Sequence, residues 1–237
     1  MNESGSGIPL LEAREIRKIF PRPDGDLTVL DGCEFTLEKG QTIAVVGESG
    51  SGKSTFLNIL GSLDHPTSGS ILHEGKTLDF NQRAVADQWR SRHIGFVFQS
   101  HMLLPDFSAL ENLLLPIRRL GPVSSSARQR AMDFLDVMGL KDRAGHLPAE
   151  LSGGEQQRIA VARAFMNKPS IVLADEPFGN LDQKIGGYLG EMLFGLRDKE
   201  GTSLVIVTHD LHLANQADII LRLQDGKLLP TVQTPLP

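Results

Sequence analysis

Residues 45–55 read VVGESGSGKST, a stretch holding three glycines and a single lysine. The apolar run TIAVV leads into it, and TFLNILGSL carries on from its last threonine. β-Formers, a glycine loop and a helical pattern in that order give G-x-x-x-x-G-K-[ST] its required setting, with Gly47, Gly52, Lys53 and Ser54 at the fixed positions. A loop so poor in side chains can turn its N–H groups inward, and the helix behind it presents its positive end. The ligand such a loop suits is a polyphosphate. Lys53 is expected to reach the β- and γ-phosphates and Ser54 to hold magnesium, with Glu48, Ser49, Gly50, Ser51 and Thr55 completing the cradle.

Composition narrows the setting of that loop. A length of 237 residues suits one large domain, and a 40% hydrophobic content is ample for a buried core. The net charge of −5 disfavours a phosphate-neutralising surface, so no nucleic-acid partner is expected. Cys33 is the lone cysteine and permits no internal disulfide; its strand-like apolar neighbours make it buried filler in a reducing compartment. The opening MNESGSGIPL lacks a basic n-region and an apolar h-region, and no segment approaches about 18 uncharged apolar residues. A cytosolic chain is expected, with any membrane role exercised through a partner and not by direct insertion.

Along the chain, LLEAREIRKIF and LTVLDGCEFTLE read as strands around the turn-rich PRPDGD. A helix is expected over about residues 53–61, then a hairpin in GSILHEGKTL and a short strand in HIGFVFQ. Residues 101–150 change character: Leu-rich helical stretches alternate with expected breaks at Pro105, Pro116, Gly121, Pro122 and Pro148, the pattern of a helical insertion. PSIVLADEP and TSLVIVTHD are nearly continuous apolar runs, which marks parallel strands covered on both faces. Together these give an α/β core whose ligands gather at the carboxyl ends of its strands. The tail LLPTVQTPLP is proline-rich and expected to be loosely held.

Two further stretches carry chemistry. IVLADEP ends a strand on Asp175 and Glu176, where a magnesium-bound nucleotide would be met from the far side of the phosphate loop. Asp175 is expected to hold magnesium through water. Glu176, pointing the other way along an extended chain, is expected to act as general base on an attacking water. In LSGGEQQR, Ser152 and Glu155 fit a capping box that opens a helix. Gly153 and Gly154 then fall in its first turn, where each costs about 1 kcal/mol relative to alanine, as if something approached the backbone closely. A second phosphate-facing helix terminus accounts for that, and leaves one chain with two anion sites for one nucleotide.

The phosphate loop, LSGGEQQR, ADEP, GNLD and VTHD, in this order, resemble the nucleotide-binding subunit of an ABC transporter over about residues 10–228. The resemblance implies an α/β P-loop NTPase core with a mainly parallel sheet, an antiparallel β subdomain and a helical insertion. The core would span about residues 10–98 and 165–228, and the helical subdomain about 99–164. It implies ATP with Mg2+, and a homodimer in which the phosphate loop of one chain and the signature helix of the other enclose each ATP, the two anion sites being joined by C2 symmetry. By the same resemblance Gln99 links γ-phosphate and magnesium to the helical insertion, Asp182 is a contact between sites, His209 is a γ-phosphate switch and Phe20 stacks on adenine. Glu176, His209 and Gln99 are thus the catalytic candidates, and Ser54, Gln99 and Asp175 the metal candidates.

LLPDFSALENLLLP and DEPFGNLD look most like the ATPase of the lipoprotein-releasing complex and its macrolide-exporter and cell-division relatives. That likeness implies separate integral membrane permease subunits and a peripheral place on the cytoplasmic face of the inner membrane. Phe178 departs from the small hydroxyl residue usual there, and Gly186, Gly187 and Gly190 are expected to weaken the helix after Asp182. In residues 101–116, Leu110, Leu113 and Leu114 are expected to form a buried stripe, and Leu103, Leu104 and Phe107 an exposed lip. A soluble ABC ATPase acting on nucleic acid, or a kinase using the same loop, fits less well: the chain has one cassette and one cysteine, and a kinase has no use for the signature helix.

Overall fold

The computed structural model describes residues 7–80, 82–179, 181 and 183–231. The strands among these residues run β1 (Leu11–Phe20), β2 (Leu27–Leu37), β3 (Thr42–Val46), β4 (Ser68–His73), β5 (Lys76–Thr77), β6 (Ile94–Phe98), β7 (Ile171–Asp175), β8 (Ser203–Val207), β9 (Ile219–Gln224) and β10 (Lys227–Pro230). The α-helices among the described residues are α1 (Lys53–Leu60), α2 (Arg83–His93), α3 (Ala109–Leu120), α4 (Ser125–Val137), α5 (Gly153–Phe165), α6 (Gln183–Glu200) and α7 (Leu211–Ala214).

The strands form two sheets. A four-stranded antiparallel sheet has the order β2-β1-β4-β5, and a six-stranded sheet the order β10-β9-β3-β8-β7-β6, parallel except for the edge strand β10. Every residue of β3 and β8 is buried, which explains their unbroken apolar runs. Alternation along each strand divides the core in two. Ile43, Val45, Ile171, Leu173, Val205 and Val207 pack with α1 and the antiparallel sheet; Val172, Ala174, Leu204 and Ile206 pack with α3, α4, α5 and α6. At about 1.5–3 kcal/mol for each large apolar side chain fully buried, these two faces fix the register of the sheet.

That register positions the site. Val45 pairs with Val207, Val207 with Asp175, and Asp175 with Phe98, so β3, β8, β7 and β6 end along one line. The residues just beyond it are Gly47, His209, Glu176 and Gln99, from four distant parts of the chain.

Expectations for Pro116 and for the start of the tail are corrected. Pro116 lies inside α3 and does not break it: Ser108 caps the helix in a box with Glu111, and Leu110, Leu113 and Leu114 bury its inner stripe, outweighing a local proline cost of about 3 kcal/mol. Gly186, Gly187 and Gly190 lie within the 18-residue helix α6, the helix expected after Asp182. Only Gly190 among them is close to a neighbour, since a Cβ there would meet Leu213 Cδ1 at 3.3 Å; a Cβ on Gly186 would meet Phe178 Cβ at 3.5 Å, an ordinary contact, and one on Gly187 nothing within 4 Å. Finally, Leu228, Leu229 and Pro230 of the tail pair with Leu223, Arg222 and Leu221 of β9, and residues 232–237 lie outside the described residues.

Candidate active site

The phosphate loop is built tightly against its neighbours. A Cβ on Gly47 would stand 2.6 Å from the carbonyl oxygen of Leu223 and 2.9 Å from Ser51 Oγ. Gly52 has φ +99°, and its Cβ would meet Val29 Cγ1 at 2.6 Å. Gly52 also caps α1, with no side-chain cap bond and no acid in the first turn, so the helix offers its N–H groups and positive end to the cleft. Lys53 is buried, its ammonium donating to the carbonyls of Gly47 (2.9 Å) and Glu48 (2.8 Å). Ser51 Oγ is buried without a hydrogen-bond partner.

Opposite the loop stands the acid pair. Ser54 Oγ donates to Asp175 Oδ1 at 3.0 Å, joining α1 to the end of β7. Burial pushes the Asp175 carboxyl above the usual range and the nearby Glu176 charge adds to this, while the Ser54 bond and Lys53 oppose them. Glu176 is not in extended backbone as the sequence implied: its φ is +43°, and its N–H donates to Val207 O at 2.8 Å. The turn brings Glu176 Oε2 within 3.3 Å of both Thr208 Oγ1 and the His209 N–H, which donate to it, and 2.9 Å from His209 Nδ1. Gln99 approaches from β6, its Nε2 standing 3.3 Å from where a Cβ on Gly179 would lie.

One cleft of about 600 Å³ gathers Ser49, Gly50, Gly52, Lys53, Ser54, Thr55, Gln99, Glu176 and His209, with Val29 as its apolar wall. Gly47, Glu48 and Ser51 line a cleft on the other side of the loop, toward the turn between β9 and β10. Val29 was missed by sequence reasoning, since nothing in a strand pattern marks which residue will face a ligand. Phe20 lies outside the main cleft: it closes β1, is 37% exposed, and carries the Lys18 ammonium 5.0 Å from its ring centre. Asp182 lies outside the described residues.

Nor do the signature residues join this cleft. Ser152 caps α5 by accepting from the Glu155 N–H at 3.3 Å, and Glu155 Oε2 accepts the Ser152 N–H at 2.8 Å in return. Those Ser152 bonds, backbone first, hold the Glu155 carboxyl below the usual range. A Cβ on Gly153 would meet nothing within 4 Å, and one on Gly154 only Ile185 Cγ2 at 3.6 Å. Packing within the chain therefore does not require either glycine.

The donors around the cleft suit magnesium, because Ser54, Asp175 and Gln99 offer hard oxygens. Among the described residues no cluster of three His, Cys, Asp or Glu could hold a metal.

A strand, glycine loop and helix facing an acid pair across parallel strand ends define a P-loop nucleoside triphosphatase. The chain belongs to the ABC transporter family, whose ATP-binding domain it matches over residues 30–179, and it is an ATPase. It is 46% identical over 219 residues to the uncharacterized ABC transporter ATP-binding protein YbbA of Escherichia coli (strain K12), covering 92% of this chain and 96% of that one. The lipoprotein-releasing system ATP-binding protein LolD of Idiomarina loihiensis is 44% identical over 219 residues, with the same coverage. Among solved structures, a dimeric post-hydrolysis state of the ATP-binding cassette MJ0796 bound to ADP and Pi superposes with a TM-score of 0.83 at 36% identity, covering 92% of this chain and 96% of that one. Among the described residues no helix is long and apolar enough to cross a membrane.

Proposed function

We propose that this ATPase closes as a homodimer around ATP and drives a separate membrane permease, with lipoprotein release as its task. The observation that carries the site is Glu176, turned by its left-handed backbone into the cleft of the phosphate loop and held there by Thr208 and His209. Lys53 leaves its loop carbonyls for the β- and γ-phosphates, and the α1 N-terminus and loop N–H groups bind the remaining phosphate oxygens. Ser54, Asp175 and Gln99 would hold magnesium, which when bound would offset phosphate charge. Glu176 takes a proton from the attacking water, and His209 orients Glu176 and reaches the γ-phosphate. Phe20 stacks on the adenine from the rim.

Dimerisation is favoured because Gly153 and Gly154 meet nothing in their own chain that requires glycine, and Ser152 to Glu155 do not line their own cleft. A second copy would bring its phosphate loop to them, with Asp182 between the two sites. The MJ0796 relative is dimeric. Residues 10–98 and 165–228 act as the catalytic core and 99–164 as the helical subdomain on which the permease rides, at the cytoplasmic face of the inner membrane. Lipoprotein release rests on the LolD relatives, among them one from Bacteroides fragilis 46% identical over 205 residues.

Glu176→Gln tests the site. Hydrolysis should fall by about 100-fold or more while ATP affinity stays within about threefold, since only the base is lost. Gel filtration at saturating ATP should then show a trapped dimer; a monomer, or turnover near the parent rate, would refute the reading. Release of an acylated lipoprotein from vesicles holding the permease tests the cargo, and ATP-driven export of a macrolide instead would reassign it.

A further inference from the structure

Gln157 is fully buried on α5, two residues beyond the capping Glu155. Its Nε2 donates to the carbonyl of Phe98 at 3.3 Å and also to the carbonyl of Pro177. Phe98 immediately precedes Gln99, and Pro177 immediately follows Glu176. One amide thus bridges the ends of neighbouring strands β6 and β7, next to two residues of the cleft. The reverse orientation of the amide would set its oxygen against both carbonyl oxygens, so the donors fix how it lies. Its own Oε1 is left buried without a partner. Packing alone would favour a leucine at such a position, because a buried acceptor with no donor is destabilising.

A second anchor lies six residues further along the same helix. Arg163 donates to the carbonyls of His101 (2.8 Å) and Met102 (2.7 Å). Both residues have left-handed backbones, with φ of +53° and +49°, a strained pair separated from Gln99 only by Ser100. Burial lowers the Arg163 pKa to about 10, and among the described residues it makes no ion pair. The helix opened by Ser152 therefore holds the segment around Gln99 from both sides and the segment after Glu176 from one.

We propose that Gln157 is a positioning residue for ATP hydrolysis, setting the spacing between Gln99 and Glu176 and fastening both to the signature helix. The inference rests on the assignment of Gln99 and Glu176 to the hydrolytic site. Movement of α5 against the sheet then shifts both residues together, so the amide makes the cleft responsive to what its helix N-terminus touches.

The test uses the purified full chain with Gln157→Leu and Gln157→Glu, their folding checked by circular dichroism and thermal melts. Gln157→Leu keeps the volume and removes both donated bonds. Its kcat should fall by about 30-fold or more with KM for ATP within about threefold, because displacement of about 1 Å at a reacting group costs rate more than binding. Parent-like kcat, or a defect confined to KM, overturns the proposal. Gln157→Glu places a buried carboxyl against two carbonyls, and burial raises its pKa. Its activity relative to the parent should rise by about tenfold between about pH 8 and about pH 6, as the protonated acid regains a donor. A flat ratio overturns the proposal, and it decides alone if the leucine variant does not fold. Glu176→Gln measured alongside separates the two failures. If it is inactive while Gln157→Leu is fully active, only the positioning role falls; if it is active, the site assignment falls and the positioning role with it.

Discussion

Single residues in the phosphate loop are constrained for different reasons, and the structure separates them. Gly47 faces a backbone carbonyl at 2.6 Å that cannot swing aside, whereas a Cβ on Gly50 would meet nothing within 4 Å and only its φ of +79° resists a side chain. Gly47→Ala should therefore destabilise the nucleotide-free chain by about 1–3 kcal/mol, a fall of roughly 2–4 °C in Tm per kcal/mol, and Gly50→Ala by clearly less. Thermal melts without ATP check this, and equal losses would mean that strain, not close approach, governs the loop. Lys53, Ser54 and the acid pair were legible in the sequence because their chemistry requires particular residue types at fixed spacing. Val29 was not, since a wall needs only an apolar surface, which many strand positions supply. The left-handed turn at Glu176 was also hidden: a strand pattern ending in two acids does not record where the backbone leaves the sheet.

At the scale of elements, periodicity found the strands and helices, and tertiary packing overruled it where local propensity was poor. Pro116 within α3 and the glycines of α6 are both tolerated because a buried face outweighs them. The junction of α2 with β4 carries a property with no sequence pattern at all. The His73 and His93 rings lie 4.5 Å apart, tilted by 50°, beside Trp89, on which His93 stacks, and His73 Nε2 is buried without a partner. Burial lowers both imidazole pKa values below the ordinary 6.5; the His93 charge further lowers that of His73 and Arg92 that of His93, while Glu74 opposes in both cases. The unfolded chain thus takes up protons first as pH falls. Stability from this cluster is complete above about pH 6.5 and is lost as pH falls below it toward the lowered values. Melting temperatures near pH 7.5 and near pH 5.5 should show a smaller acid loss in His73→Phe, which keeps a ring and removes one titration. An unchanged loss would place the acid sensitivity elsewhere.

For the molecule as a whole, the surface next to the cleft is where a permease would be felt. Leu103 packs on the core and Phe107 is half-buried, with the Arg118 guanidinium 5.9 Å from its ring centre, so of the expected lip only Leu104 is exposed, at 44%, beside Met102 at 56%. The Leu104 backbone is held on both sides by the buried amide of Asn112, which leaves its side chain free to change without loss of fold. Leu104→Glu should leave Tm and the ATPase rate of the isolated subunit within about twofold, while weakening copurification with the permease. Normal assembly would exclude this surface from docking. The order of strands in the main sheet also bears on how the chain is made. β3, which leads into the phosphate loop, lies between β8 and β9, so its hydrogen-bonding partners begin only at residue 203. At roughly 5–20 residues per second, a ribosome leaves β3 without either neighbour for about ten to thirty seconds after synthesising it. During that interval an apolar strand with two open edges is accessible to anything that pairs with strands, and the nucleotide cannot help to close it. Shielding of the nascent chain, more than the stability of the finished sheet, would then limit how much of this ATPase a cell obtains.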